Sequence, residues 1–292
     1  MNPFNRLLVA LDLRENDDML IKHASLIAKQ FGTERIYFLH AVDNLEEEEQ
    51  VMAKYGLTSK AEPLDEQVME KLNSEISHQF PENCELEAGI VEGKPFDALI
   101  HWAKVKQVDT MILGRRKMGQ QSGIVSRKLV RNSPCSVMFL PTSSSANYKK
   151  VLVPIDFSPF SKELIEIAAG ARMQSKEMTM GTVFIDDKKT LKKFSKSNQY
   201  ASGDIEAAEA ADLFFRQFPK PNLRETFAVT DNPHKNIAQR IAEYAWEKNY
   251  DFVLAGSLGY SNVGEFIIGS VAEKLSEIDD DLPLLIIKPK TH

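Results

Sequence analysis

The chain has 292 residues, 43% of them hydrophobic and 27% charged, a composition that suits a globular protein long enough for two domains. A net charge of −6 and a pI near 5.6 lack the electrostatic footprint of a dedicated nucleic-acid binder. Cys84 and Cys135 form no CxxC pair, which favours buried thiols in a reducing compartment. The opening "MNPFNRLLVALDLREND" has neither the length of a membrane span nor the layout of a signal peptide, so no membrane partner and a cytoplasmic location are expected.

In chain order, Arg6 to Gly32 reads as a basic residue, an apolar strand, Asp12, a polar turn and an amphipathic helix. Leu45 to Gln79 is long, charged and only partly periodic, with room for extra loops. Val91 to Gly114 gives a strand end, a helix opened by Pro95, where a missing N–H is no loss, and a buried strand. "GRRKMGQQSG" (Gly114 to Gly123) follows, then a helix and the apolar strand "SVMFLP" (Ser136 to Pro141). Arg115, Arg116 and Lys117 read as a solvated loop tip rather than a ligand site. "TSSSANY" (Thr142 to Tyr148), small and polar after a proline, reads as a short flexible linker.

The same grammar then repeats. Lys150 to Met173 matches Arg6 to Gly32, pairing Asp156 with Asp12; Val229 to Gly256 matches Val91 to Gly114; "LLIIKP" (Leu284 to Pro289) matches "SVMFLP". Two tandem units of about 140 residues follow, placed at 1–143 and 148–292. In the second unit the pattern predicts strands near Val151–Ile155, Met178–Ile185, Arg224–Val229, Phe252–Ala255 and Leu284–Ile287. Helices are predicted near Ser161–Met173, Gly203–Gln217, Pro233–Lys248 and Ser270–Ile278, with Lys188–Pro219 only partly periodic. Alternating short strands and helices imply an α/β fold: two doubly wound, five-stranded, mostly parallel sheets of order 3-2-1-4-5. The apolar terminal strands of the two halves would lie at sheet edges, where they are expected to pair as an internal pseudo-dimer; a further homodimer is left open.

The chemistry concentrates in "GSLGYSNVGEFIIGS" (Gly256 to Ser270). A buried strand runs into Gly256, crosses a loop through Gly259 and re-enters a helix after Gly269, with Ser270 and Glu273 spaced as a capping box. A helix N-terminus with glycines before it makes an anion cradle that needs no Lys or Arg. In a 3-2-1-4-5 sheet the first and fourth strands flank the switch point, so Asp156 and Gly256 would border one crevice. Pro154 is unusual inside a central strand and is expected to mark its last turn. Glycines at strand ends also serve packing, and an Asp after a strand also serves as a helix cap. Neither GxxxxGK[ST] nor GxGxxG follows a strand in this chain.

These residues resemble the universal stress protein family in its tandem form. The second half carries the family's G-x2-G-x9-G-[ST] pattern at Gly256, Gly259, Gly269 and Ser270, with "VPID" at Val153 to Asp156. The resemblance implies a stress-response protein with an adenosine-nucleotide site. Pro154 and Asp156 would lie beside adenine and ribose, the backbone around Val183 would help enclose the base, and Gly256, Gly259, Gly269 and Ser270 would wrap the phosphates. The nucleotide would be ATP, with Mg2+, or AMP or ADP. In the first half, Ile124 stands where Ser or Thr belongs, Lys117 replaces the second glycine, Ala10 replaces the proline, and the loop is four residues shorter, so that site is expected to be lost. A weak ATPase or self-phosphorylating enzyme, and a nucleotide-free scaffold, are the alternatives.

Other candidates read as structural. No His pair has metal-ligand spacing. Ser158, Ser161 and Ser257 fit caps and turns, and His234 a helix surface. Trp102 and Trp246 occupy matching positions in the third helix of each half and read as core or interface residues.

Overall fold

A computed structural model describes residues 2–12, 17–42, 66–67, 70, 74, 76–115, 122–141, 143–144, 148–174, 178–198, 205–218, 227–231, 236–259, 268–278 and 282–289. Pro233, His234, Arg116, Lys117 and most of Leu45–Gln79 lie outside them. The described residues form two compact units: Met1–Ser122 with Asn132–Ala146, and Gly123–Arg131 with Asn147–His292.

In the first unit, β1 (Arg6–Leu11) buries Leu7, Leu8 and Val9 completely, the continuous apolar run expected of a parallel strand covered on both faces. It pairs in parallel with β2 (Arg35–Val42) on one side and β4 (Thr110–Arg115) on the other. β3 (Glu85–Glu92) and β5 (Ser136–Pro141) complete the order β3-β2-β1-β4-β5. Helices α1 (Asp17–Phe31) and α2 (Pro95–Val105) pack on this sheet, and α2 does open on Pro95. Helix α3 (Ser122–Asn132) precedes β5, and its residues Gly123–Arg131 group with the second unit.

The second unit repeats the plan. Strands β6 (Lys150–Pro154), β7 (Thr179–Ile185), β8 (Phe227–Thr230), β9 (Phe252–Gly256) and β10 (Leu284–Ile287) run in the order β8-β7-β6-β9-β10, all parallel. Both units therefore have the predicted 3-2-1-4-5 order. The helices are α4 (Pro159–Gln174), α5 (Lys188–Ser197), α6 (Ala207–Phe215), α7 (Ile237–Glu247) and α8 (Ser270–Glu277).

Two segments differ from the sequence reading. Helix α5 occupies a stretch whose run of lysines obscures its period: Leu191, Phe194 and Ser195 are buried, and Asp187 caps the helix by accepting from Thr190 N at 2.9 Å. The stretch read as a linker is anchored near both ends. Ser144 Oγ donates to Pro141 O at 2.6 Å, and Tyr148 is buried with its ring 5.2 Å from that of Phe252.

Two side chains also sit elsewhere than expected. Trp246 is 58% exposed, so it is no core residue. Arg115 ends β4 instead of a solvated loop: it is buried, with its guanidinium 4.9 Å over the Phe139 ring. Cys84 and Cys135 are buried, as expected, and form no disulfide; desolvation raises the pKa of Cys84 to about 11.

Candidate functional site

The site is built where β6 and β9 end side by side. Pro154 is the last residue of β6, beyond the β9 ladder, which closes at Leu152, so its missing N–H costs no bond on that side. On the other side Pro154 faces Val183, and Ile155 N donates to Val183 O at 2.9 Å. The Val183 carbonyl is thus committed to the sheet.

After Asp156 the chain turns sharply at Phe157, which sits at φ +62°, a left-handed conformation uncommon for a bulky residue. Its ring holds it there. Phe157 is buried at the centre of an aromatic cluster, with centroids 4.7 Å from Phe184, 5.6 Å from Phe194 and Phe214, and 6.0 Å from Phe227. The turn is stitched by short polar contacts: Ser161 Oγ donates to Asp156 Oδ1 at 2.7 Å, Ser158 N donates to the same oxygen at 3.1 Å, and Asp156 N donates to Ser161 Oγ at 3.0 Å. Ser161 N donates in turn to Ser158 Oγ at 3.2 Å. Ser158 and Ser161 are therefore turn hydroxyls, as the sequence suggested.

The glycines play different parts. A Cβ on Gly256 would lie 2.8 Å from Phe160 Cδ1 and 3.0 Å from Leu164 Cδ1, so this glycine lets β9 pack against α4. A Cβ on Gly259 would lie 2.5 Å from Asp156 Oδ2, so this one keeps space open beside the carboxylate. Ser257 N donates to Ile287 O at 2.9 Å, and Gly269 N donates to Ser257 O at 2.7 Å, which closes the loop at its base.

The capping box does not form. Gly269, not Ser270, is the N-cap of α8 and brings no side-chain acceptor, while Ser270 is the first helical residue. The Glu273 carboxylate is turned to Arg131, whose Nη2 donates to Oε2 at 2.9 Å within the same unit. The N–H groups of the first turn of α8, which lack intrahelical partners, therefore receive no cap from the two side chains the pattern nominated.

A cavity of about 240 Å³ lies over these elements, somewhat below the ~300–1,000 Å³ usual for ligand clefts. Its lining includes all seven residues singled out in the sequence: Pro154, Asp156, Val183, Gly256, Gly259, Gly269 and Ser270. Apolar side chains complete it, among them Leu164, Ile237, Ile241 and Leu275. Helix α5 adds Lys189, Thr190 and Lys193, with Asp187 before it. Sequence reasoning missed these four. The available signal was Lys189 and Lys193 at a four-residue spacing just after a strand end, the spacing that puts two side chains on one helix face.

Among the described residues no group of three or more His, Cys, Asp or Glu comes together as a metal site. Nor is any described helix long and apolar enough to cross a membrane.

A family model for universal stress proteins matches the chain twice, over residues 3–141 and 147–277. The chain belongs to the universal stress protein family. It is a tandem member, with one match in each half. Among solved structures, a functionally unknown protein, PA1789, from Pseudomonas aeruginosa PAO1 is 15% identical over 98% of this chain and 93% of its own, with a TM-score of 0.66. A putative universal stress protein from Pseudomonas aeruginosa UCBPP-PA14 is 15% identical over 98% and 94%, with a TM-score of 0.67. A universal stress protein from Archaeoglobus fulgidus DSM 4304 is 16% identical over 97% and 96%, with a TM-score of 0.66. At these identities the likeness is one of fold. No curated protein matches the chain by sequence.

Proposed function

We propose that this universal stress protein is a cytoplasmic stress-response module that binds an adenosine nucleotide, ATP foremost, in its second repeat, and that occupancy of this site is its signal. One observation carries the reading: a single cavity is lined by the complete G-x2-G-x9-G-S set together with Pro154, Asp156 and Val183. Its apolar walls suit the faces of a base, and an uncapped helix N-terminus suits a phosphate.

The residues fit the group. Asp156, held by Ser158 and Ser161, presents a carboxylate to ribose hydroxyls, and Gly259 leaves room beside it. Ser270 and the first amides of α8 would meet phosphate oxygens. Mg2+ would arrive with ATP and draw its ligands from the phosphates. Ser158 and Ser161 are engaged in the Asp156 turn, which favours binding over a catalytic use of either hydroxyl.

The test is to purify the full chain without added ligand, identify by mass spectrometry what denaturation releases, and titrate ATP calorimetrically. A Gly259→Val variant should lose at least 100-fold in affinity, because its side chain would fall onto the Asp156 carboxylate. An absence of heat at millimolar nucleotide would overturn the proposal.

A further inference from the structure

We infer that Lys189 and Lys193, on a helix outside the glycine pattern, form a cationic clamp that makes this cavity select nucleotides by the number of their phosphates. The inference rests on the nucleotide reading above and assigns its charge specificity to a segment with no part in the repeated motif.

Helix α5 carries Lys188, Lys189, Lys192, Lys193 and Lys196 and has no acidic residue. This arrangement works against the helix itself. Two lysines in the first turn oppose the helix dipole, and Lys188–Lys192 and Lys189–Lys193 are like-charged pairs at the four-residue spacing, which is unfavourable. A helix that breaks local rules in this way points to a role outside its own stability.

The other face explains why α5 folds there at all. Leu191, Phe194 and Ser195 are buried, the Phe194 ring sits 5.6 Å from that of Phe157, and Asp187 fixes the first turn through Thr190 N and Thr190 Oγ1, at 2.9 and 2.7 Å. Phe157 is the residue after Asp156, so α5 is packed against the turn that carries Asp156.

Of the five lysines, only Lys189 and Lys193 line the cavity. Neither has an ion-pair partner among the described residues; of the two carboxylates just before the helix, Asp186 and Asp187, only Asp187 lines the cavity, and it is bonded to Thr190. Two ammonium groups without an ion-pair partner among the described residues, at the cavity that holds Ser270 and the α8 N-terminus, supply the charge that backbone amides lack. A polyphosphate offsets their repulsion. Adenosine cannot.

The experiment is calorimetric titration of the full chain with ATP, AMP and adenosine at low and at physiological salt. The wild type should rank ATP over AMP over adenosine. Lys189→Gln with Lys193→Gln should cut the ATP-to-adenosine affinity ratio at least ten-fold, leave adenosine within two-fold, and flatten the salt dependence. The melting temperature should not fall, since like-charge repulsion is removed. Lys192→Gln with Lys196→Gln, on the same helix but off the cavity, should change the ratio by less than two-fold.

An unchanged ratio in the first variant, or an equal drop in the second, overturns the clamp while nucleotide binding stands. If the wild type binds none of the three ligands, clamp and nucleotide reading fall together.

Discussion

Arg6–Lys29 and Lys150–Met173 align without a gap, so the first strand and the turn after it compare residue by residue in the two repeats. In each, the N–H of the strand-end aspartate donates to the side chain five positions later: Asp12 N to Asp17 Oδ1 at 3.2 Å, and Asp156 N to Ser161 Oγ at 3.0 Å. The scaffold is shared, but the charge is not. Ser161 is a neutral hydroxyl that donates back to Asp156, whereas Asp17 is a buried carboxylate in the first turn of α1, where the helix dipole welcomes a negative group. The first repeat supplies its own anion at the place where the second offers a neutral wall.

Three tests sharpen this contrast. The largest effect is expected at the paired glycines. Gly256→Ala forces a Cβ within 3.0 Å of Phe160 and Leu164 and should lower stability by about 3 kcal/mol, the upper end for an added group in a packed site. At Gly114→Ala the nearest atom would be Leu20 Cδ1 at 3.6 Å, an ordinary contact, so no loss is expected. Urea denaturation of both variants measures the difference, and equal losses would remove the asymmetry.

Next comes a histidine of the first repeat. His23 is fully buried, its Nε2 lies 3.2 Å from Ser144 Oγ, and desolvation lowers its pKa from 6.5 to about 4, outweighing the Ser144 hydrogen bond, which raises it. Ile167 stands at the matching position of the second repeat. The unfolded chain protonates this ring first, so its contribution is whole above pH 6.5 and is lost as pH falls from 6.5 toward 4. The loss reaches about 2 kcal/mol by pH 5. Unfolding followed at pH 7 and pH 5 should show a loss of that size in the wild type and a clearly smaller one in His23→Gln; equal pH responses refute it.

The smallest effect converts one crevice into the other. Ser161→Asp should place a carboxylate beside Asp156 and weaken ATP binding about ten-fold, or ~1.4 kcal/mol, with a lesser change for adenosine. Unaltered ATP affinity would show that Asp17 has no part in the difference between the repeats.

Much of this was legible in the sequence. Hydrophobic runs, Pro95 and the matched aspartates set out two parallel sheets; glycine spacing with "VPID" named six residues and the family resemblance added Val183, and one cavity is lined by all seven. The structure differs where side-chain identity had to stand in for geometry. Ser270 and Glu273 have capping-box spacing, yet Gly269 takes the cap position and Glu273 turns to Arg131. Lys189 and Lys193 left no trace in the repeat, because α5 belongs to a segment where the two halves diverge. Trp246 matches Trp102 in position but not in burial: the Trp102 ring packs 3.1 Å from where a Gly89 Cβ would stand, while Trp246 lies open.

The left-handed backbone at Phe157 has a thermodynamic consequence. Its ring is wedged among Phe184, Phe194, Phe214 and Phe227, so the peptide planes on either side of Asp156 are immobilised before any guest arrives. Amide hydrogens at Asp156 and Ser158 should therefore exchange with solvent as slowly in the empty protein as in the filled one. Docking at this end of the cavity then proceeds against a preorganised surface, with little configurational entropy left to surrender.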